Sequence, residues 1–345
     1  MTYRVLHFHF GKEGGAERFF VNLSRAFAKR GTQQRFFIRP NRTWESEIAE
    51  LGPVIRNNFG RISPYSFVAH FQAAKIVKKW KPHAVMAWMP RAGRLIHDWP
   101  NTIKLARMGD FPDRLNHFSH CDILVGNNPG ITKRCRDLGW EKPVTTISNF
   151  SRVVEFKDIS RQTLGTKQSS FIIAACGRLV PRKGFHILLQ AIQKFPNVVL
   201  WLIGDGQERE NLSNLAKSLG IADRVKFFGW VEEPIHYINA SDALVLPSQQ
   251  ETLGNAILEA WQCGVPTIAT RTKGPKWFMR HEVDGILTDI DNINQISSAI
   301  ERLMKDGELR KYLVKNASAR LKEMFDEDAV VNAYFDLFKG DLRDK

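Results

Sequence analysis

Phe171-Ile-Ile-Ala-Ala-Cys-Gly-Arg-Leu-Val-Pro-Arg-Lys-Gly-Phe-His-Ile-Leu-Leu-Gln-Ala-Ile192 reads as a buried strand over Phe171 to Gly177, a short basic loop, and a helix over Gly184 to Ile192. The opening run is apolar without polar alternation, as in a parallel strand covered on both faces. The same unit recurs downstream. Val198 to Ile203, Val225 to Phe228, Ala243 to Leu246 and Thr267 to Thr270 read as strands, with helices at Glu208 to Ser218 and Asn255 to Cys263. Ile293 to Met304 and Leu309 to Met324 close the series as helices, and Asp328 to Phe338 reads as a last one.

Upstream the pattern has an independent beginning. Tyr3 to Phe10 alternates and runs into Gly11-Lys-Glu-Gly-Gly15, and Ala16 to Lys29 carries helical periodicity through Phe19, Phe20, Leu23, Ala26 and Phe27. Apolar runs follow at Gln34 to Ile38, Ala84 to Trp88, Thr102 to Ala106, Ile123 to Val125 and Val144 to Ile147, with helical stretches such as Phe67 to Trp80 and Pro129 to Leu138 between them. Strands alternating with helices predict an α/β protein with parallel sheets covered on both faces. Phe150 to Ser170 is polar and without period, so the linker is expected there and the two domains at 1–165 and 166–325. A chain of 345 residues suits two such domains.

Composition narrows the function classes. Hydrophobic residues at 43% and charged residues at 25% describe an ordinary globular chain. No apolar run approaches the roughly 20 residues of a membrane span, and no secretory leader is evident, so a cytoplasmic location is expected. Cys121, Cys135, Cys176 and Cys263 are scattered and read as reduced thiols. His117, His120 and Cys121 lie close in sequence, but no second cluster completes a tetrahedral metal set, and none is expected. Residues 1–165 hold 27 Lys and Arg against 13 Asp and Glu, whereas 166–345 hold 23 against 23. The whole positive excess lies in the first half, which points to a polyanionic partner there: an anionic membrane, an acidic glycolipid or nucleic acid.

Ligands of open parallel sheets bind beyond the carboxyl ends of the strands. Three loops qualify. Gly11 to Gly15 precedes a helix and suits an anion, with a plain tight turn as the alternative. Cys176 to Gly184 carries Arg178, Arg182 and Lys183, cations able to clamp a diphosphate or simply to face solvent. Ser248 to Pro266 places Glu251 before a helix and Glu259 inside it, with the amides of Thr252, Leu253 and Gly254 at the helix start. Glu259 should lie about 7 to 8 Å beyond Gly254 along the axis, so the two carboxylates can address two different sugars. Asp289-Ile-Asp291 has the look of a metal-binding pair but reads better as a turn and helix cap.

Gly177-Arg178 with Lys183-Gly184, then Ile203-Gly-Asp-Gly206, Phe228-Gly-Trp-Val231, the two-glutamate segment, Gly274-Pro275 and Asp284-Gly285 together closely resemble family four of the retaining glycosyltransferases. The likeness continues more faintly through the N-terminal glycine loop and Asp122 to Asn127. It implies a GT-B fold, two Rossmann-like doubly wound domains facing across a cleft, with a C-terminal helix at 326–345 returning to the first domain. It also implies a nucleoside diphosphate sugar as co-substrate and no cofactor or metal. Arg178 and Lys183 would bind the donor pyrophosphate, Glu259 the ribose, Glu251 the transferred sugar, and backbone near Trp230 the base. Gly177 belongs to the same loop. The amides of Thr252, Leu253 and Gly254 would hold phosphate or sugar, and Gly14 and Gly15 would meet the phosphate from the other domain.

Many relatives carry a histidine after the strand at Thr102 to Ala106; here the chain reads Arg107-Met-Gly-Asp-Phe111, which makes Arg107 and Asp110 the acceptor-side candidates. The basic first half points to an acidic membrane glycolipid such as lipopolysaccharide core, with a soluble acceptor as the alternative. Peripheral attachment to the inner face of the cytoplasmic membrane is expected through Lys75, Lys78, Lys79 and Lys81, which flank Trp80. A nicotinamide oxidoreductase is the main rival, but its glycine fingerprint is missing. A nucleic-acid-binding protein would use the basic half, yet no recognition motif for nucleic acid appears.

Overall fold

The computed structural model describes residues 2–60, 64–152, 155–157 and 159–340. They fall into two compact units, Met1–Phe150 with Glu327–Lys345, and Ser151–Asp326.

The first unit holds a seven-stranded sheet of β1 (Arg4–His9), β2 (Gln33–Ile38), β3 (Val54–Arg56), β4 (Ala84–Trp88), β5 (Ile103–Met108), β6 (Ile123–Gly126) and β7 (Val144–Thr146). All pairings are parallel and the order is β3-β2-β1-β4-β5-β6-β7. The connections carry α1 (Gly15–Lys29), α2 (Glu45–Ala49), α3 (Pro64–Trp80), α4 (Met89–Gly93) and α5 (Pro129–Asp137). Successive residues of β1 join different cores: Val5 packs with Phe20, Phe27 and Phe36, whereas Leu6 and Phe8 pack with Phe37, Ala69 and Val85. Two apolar faces explain why β1 does not alternate in burial.

His7 and His9 lie inside this unit, as their alternation along β1 suggests for structural groups. Trp88 Nε1 donates to His7 Nδ1 at 3.3 Å, and His7 Nε2 meets Gln34 Oε1 at 3.1 Å, an arrangement that suits a neutral ring. Burial pulls both histidines down to about 3, opposed at His7 by the Gln34 hydrogen bond and reinforced at His9 by the charge of His7 and Arg42.

The second unit repeats the plan with β8 (Phe171–Cys176), β9 (Val198–Ile203), β10 (Val225–Gly229), β11 (Ala243–Leu246), β12 (Thr267–Thr270) and β13 (Ile286–Thr288) in the order β10-β9-β8-β11-β12-β13, again parallel. Its helices are α6 (Phe185–Ile192), α7 (Arg209–Ser218), α8 (Ile235–Asn239), α9 (Asn255–Gln262), α10 (Lys273–Phe278), α11 (Ile293–Lys305) and α12 (Gly307–Met324). From Ser151 onward the described part of the expected linker belongs to this unit. Arg161 pairs with Asp242 at 3.0 Å, Arg152 with Glu233 at 2.7 Å, and Trp201 Nε1 donates to Thr166 Oγ1 at 3.1 Å. These side-chain anchors put the division at Phe150/Ser151 rather than after residue 165.

The last helix, α13 (Glu327–Phe338), packs with the first unit. Val330, Val331, Tyr334, Leu337 and Phe338 are buried with Tyr3 and Phe27, and Phe335 stacks on Phe27 at 5.6 Å between ring centres. Arg30 pairs with Asp328, and Lys29 stands 4.0 Å from Glu327.

Candidate functional site

In each sheet the strand order reverses once, at β1/β4 in the first unit and at β8/β11 in the second. Such a reversal opens a crevice at the carboxyl ends of the strands. In the second unit the loops flanking it are Gly177–Gly184, after β8, and Ser248–Gly254, after β11.

Backbone contact brings these two loops together. Gly184 has φ 67°, and a Cβ there would lie 2.1 Å from the Pro247 carbonyl oxygen, so only glycine lets the first loop close on the end of β11. The Gln249 amide donates to the Arg182 carbonyl at 2.8 Å. Lys183 turns across Gly177, where an added Cβ would stand 3.3 Å from Lys183 Cε. Its Nζ reaches Glu251 Oε2 at 2.5 Å, and Ser248 Oγ donates to the same oxygen at 3.3 Å. Both partners of the ion pair are mostly shielded, so the interaction is screened less than on an open surface.

The neighbouring loops are woven in similarly. The Gly177 amide donates to Ile203 at 2.9 Å and the Gly204 amide to Gly229 at 2.8 Å. Gly204, at φ 133°, brings its α-carbon so near Gly177 that a Cβ would sit 2.1 Å from the Gly177 carbonyl. Trp230 follows Gly229 directly and is exposed, as is Arg178 next to Gly177.

The two-glutamate segment is held from below. Leu253 is 3% exposed and packs with Ala174 and Leu246, so its side chain anchors the loop and leaves only its backbone for a ligand. The Gly274 amide donates to the Glu251 carbonyl at 2.9 Å. Gly254 is the N-cap of α9 at φ 95° without a side-chain cap, and Thr252 is half-buried beside it. Glu259 lies within α9 and is half-buried. Burial, then the Glu259 charge, raises the Cys176 thiol, with Lys183 opposing. Burial and Glu259 also push Cys263 up to about 12. Gly177, Lys183, Glu251 and Glu259 thus surround one small region, with Arg178 and Trp230 exposed on the same unit. Ser248 was not singled out by sequence reasoning. It is fully buried, and a polar residue two positions beyond a buried strand was the available signal.

The remaining candidates lie in the first unit. Lys12, Glu13, Gly14 and Gly15 are exposed, and α1 starts at Gly15 with no side-chain cap on Gly14. Asp110 is exposed and its Oδ1 accepts from the Phe111 amide at 2.9 Å. Arg107 differs from the expectation that placed it beside an acceptor. It is 3% exposed, donates to the Ile147 carbonyl at 2.8 Å and to Asn149 Oδ1 at 2.5 Å, and lies 4.6 Å from the Phe19 ring centre and 5.9 Å from that of Tyr334. Its guanidinium joins the end of the sheet to α1 and α13, because in β5 the side chain falls on the face those helices cover.

The acidic pair near α11 also departs from its expected capping role. Asn292 is the N-cap, its side chain accepting from the Gln295 amide. Asp289 stands 3.4 Å from Arg271, and the Asp291 carboxylate accepts from Gln249 Nε2 at 2.9 Å. His117 stands near Arg94, His120 pairs with Asp98, and Cys121 is buried with its thiol raised to about 12 by burial and by Asp122. Among the described residues no three of His, Cys, Asp and Glu converge as a metal site.

Residues 156–320 match the family model for glycosyl transferases group 1. Over the full length the chain is similar to the lipopolysaccharide core biosynthesis glycosyltransferase LpsE of Rhizobium meliloti (strain 1021), 40% identical over 97% of this chain and 98% of that one. It is also 39% identical, over the same shares of both chains, to LpsD of that organism, which bears the same description. Among solved structures, Anabaena Alr3699/HepE in complex with UDP and glucose matches with a TM-score of 0.83 at 21% identity, over 98% of this chain and all of that one. The fold class is that of the GT-B glycosyltransferases.

Proposed function

Since this chain belongs to the group 1 glycosyl transferases, we propose that it transfers a sugar, with retention at the anomeric carbon and without a metal ion, from a nucleoside diphosphate sugar to an acceptor in lipopolysaccharide core synthesis. The observation that carries the catalytic part is the pairing of Lys183 with Glu251 where the loops after β8 and β11 meet. The acceptor class is supported by full-length similarity to two proteins described as lipopolysaccharide core glycosyltransferases.

In this reading the anomeric carbon–oxygen bond to the diphosphate breaks, and negative charge grows on the leaving phosphate. Lys183 and Arg178, with the amides of Thr252, Leu253 and Gly254, oppose that charge from preset positions. These cations take the neutralising role that a divalent ion plays elsewhere. Lys183 is held by Glu251 beforehand, so the ammonium is positioned without reorganisation and the carboxylate remains beside it for sugar hydroxyls. Glu259 takes the ribose and the backbone around Trp230 the base; Gly14 and Gly15 offer amides to phosphate. The acceptor hydroxyl forms its bond on the face the leaving group vacates, and its proton passes to the departing phosphate oxygen. Asp110 remains the acceptor-side candidate. Working on an envelope glycolipid places the protein peripherally on the inner face of the cytoplasmic membrane; no helix among the described residues is long and apolar enough to cross one.

The test combines product stereochemistry with chelation. Proton NMR of the first product formed with a nucleotide sugar and delipidated core oligosaccharide should show the donor's anomeric configuration, and EDTA should leave the rate unchanged. Inverted product, or activity lost to EDTA and restored by manganese or magnesium, overturns the mechanism.

A further inference from the structure

We propose that α3 docks this protein on an anionic lipid surface through a face made by Phe67, Phe71, Lys75 and Lys78. The proposal rests on the peripheral attachment inferred above and assigns it a surface.

Phe67 is 85% exposed and Phe71 68%, with Tyr65 and Val68 also largely in solvent. Exposed aromatic rings grouped on one helix mark an interaction site more often than a chance surface. The spacing of four, four and three residues from Phe67 through Phe71 and Lys75 to Lys78 keeps these side chains on one side of a helix with 3.6 residues per turn. The opposite side is accounted for: Ala69, Ala73 and Val77 are buried at intervals of four, and Ile76 and Trp80 pack against the same core. The outward face is apolar over its first half and cationic over its second, where Lys75, Lys78 and Lys79 are all exposed. Residues 64–80 include no Asp or Glu.

This arrangement changes the expected contact. Trp80, the aromatic flanked by these lysines in the sequence, packs inward, with the Arg35 guanidinium 4.7 Å from its ring centre. The rings available to a membrane stand at the other end of the helix. Phenylalanines entering the acyl boundary while lysines extend to the phosphates match the pattern of interfacial helices. The occupant is argued from charge: the unit carrying α3 holds 27 Lys and Arg against 16 Asp and Glu, and the other unit 23 against 20. An anionic bilayer satisfies both the cations and the exposed rings.

The experiment is sedimentation of the full chain with vesicles of phosphatidylethanolamine and phosphatidylglycerol, or of phosphatidylcholine alone, at low and high salt, alongside size-exclusion chromatography. Wild type should bind the anionic vesicles and lose most binding at high salt. Lys75→Glu with Lys78→Glu should lower partitioning at least about 25-fold, from about fivefold for each lysine near an anionic surface. Phe67→Ser with Phe71→Ser should lower it about tenfold or more. Both variants should keep wild-type binding of nucleoside diphosphate, which shows that they fold. Variants that sediment like wild type overturn the surface while leaving peripheral attachment standing. Wild type that binds no anionic vesicle overturns both. A wild-type dimer that Phe67→Ser with Phe71→Ser makes monomeric, without vesicle binding, assigns the face to a second copy and overturns the lipid proposal.

Discussion

The two units share one strand order and differ in what surrounds the first strand of each. Around β8 the loops meet backbone to backbone, with Gly184 against Pro247 and Gly204 against Gly177, and the outcome is a fixed arrangement of Lys183 and Glu251. Around β1 the loop Lys12–Gly15 is exposed, and order resides in a dense aromatic interior of His7, His9, Phe20, Phe36 and Trp88. One unit thus knits the loops beyond its strands together by backbone contact, while the other leaves the corresponding loop exposed above an aromatic core. A shared topology places these loops but does not decide their contacts.

The widest separation between the units should appear in acid. His7 and His9 have folded values near 3 against about 6.5 when unfolded, so between those values the unfolded chain takes up protons that the folded unit refuses. Their contribution is complete above about pH 6.5 and is lost as the pH falls. At pH 4.5 the loss amounts to about 5 kcal/mol for the two. Hydrogen exchange followed by mass spectrometry should show peptides of β1 losing protection between pH 7 and 4.5 before those of β8. His236 and His281 of the second unit are also lowered by burial, but the charges of Glu233 and Glu282 oppose the shift and they should matter less. Simultaneous loss in both units would break the comparison.

Gly204→Ala should strike the second unit, because a Cβ there collides with the Gly177 carbonyl in a backbone conformation that L residues rarely adopt. The expected cost is about 4 kcal/mol from strain and overpacking together. Gly31→Ala is the control in the first unit: its φ is 76° but nothing lies within 4 Å, so only about 1 kcal/mol is expected. Urea midpoints measure both, and equal shifts would mean that the loops around β8 yield as easily as an open turn.

Lys183→Ala tests whether the rigid pair serves catalysis. Loss of one preset cation should remove about 3 kcal/mol of transition-state stabilisation, close to a 150-fold fall in kcat/KM, with the fold retained. Wild-type kcat/KM in a folded variant would reduce the Lys183–Glu251 pair to a structural contact.

Much of this was legible in the residues. Uninterrupted apolar runs such as Ile172–Ala175 and Leu200–Ile203 announce strands buried on both faces, and the helices between them carry their own period, so local composition points to two parallel sheets. Short elements such as β3 and α4 escaped, because a single turn or three strand residues carry too little pattern to stand out. Lys183 and Glu251 were open to proposal as ligand-facing groups because they fall in loops that follow strands, where parallel sheets bind ligands.

The sequence by itself determined the two-unit architecture, the loops that follow the strands and the excess of positive charge in the first half. Those follow from residue type and order along the chain. Only the tertiary structure decided which side chains meet or face solvent: that Lys183 reaches Glu251, that Arg107 is enclosed by α1 and α13, and that Trp80 turns inward while Phe67 and Phe71 remain exposed. The reason is physical: identity sets what a side chain is able to do, but burial and partnership depend on packing between elements distant in sequence.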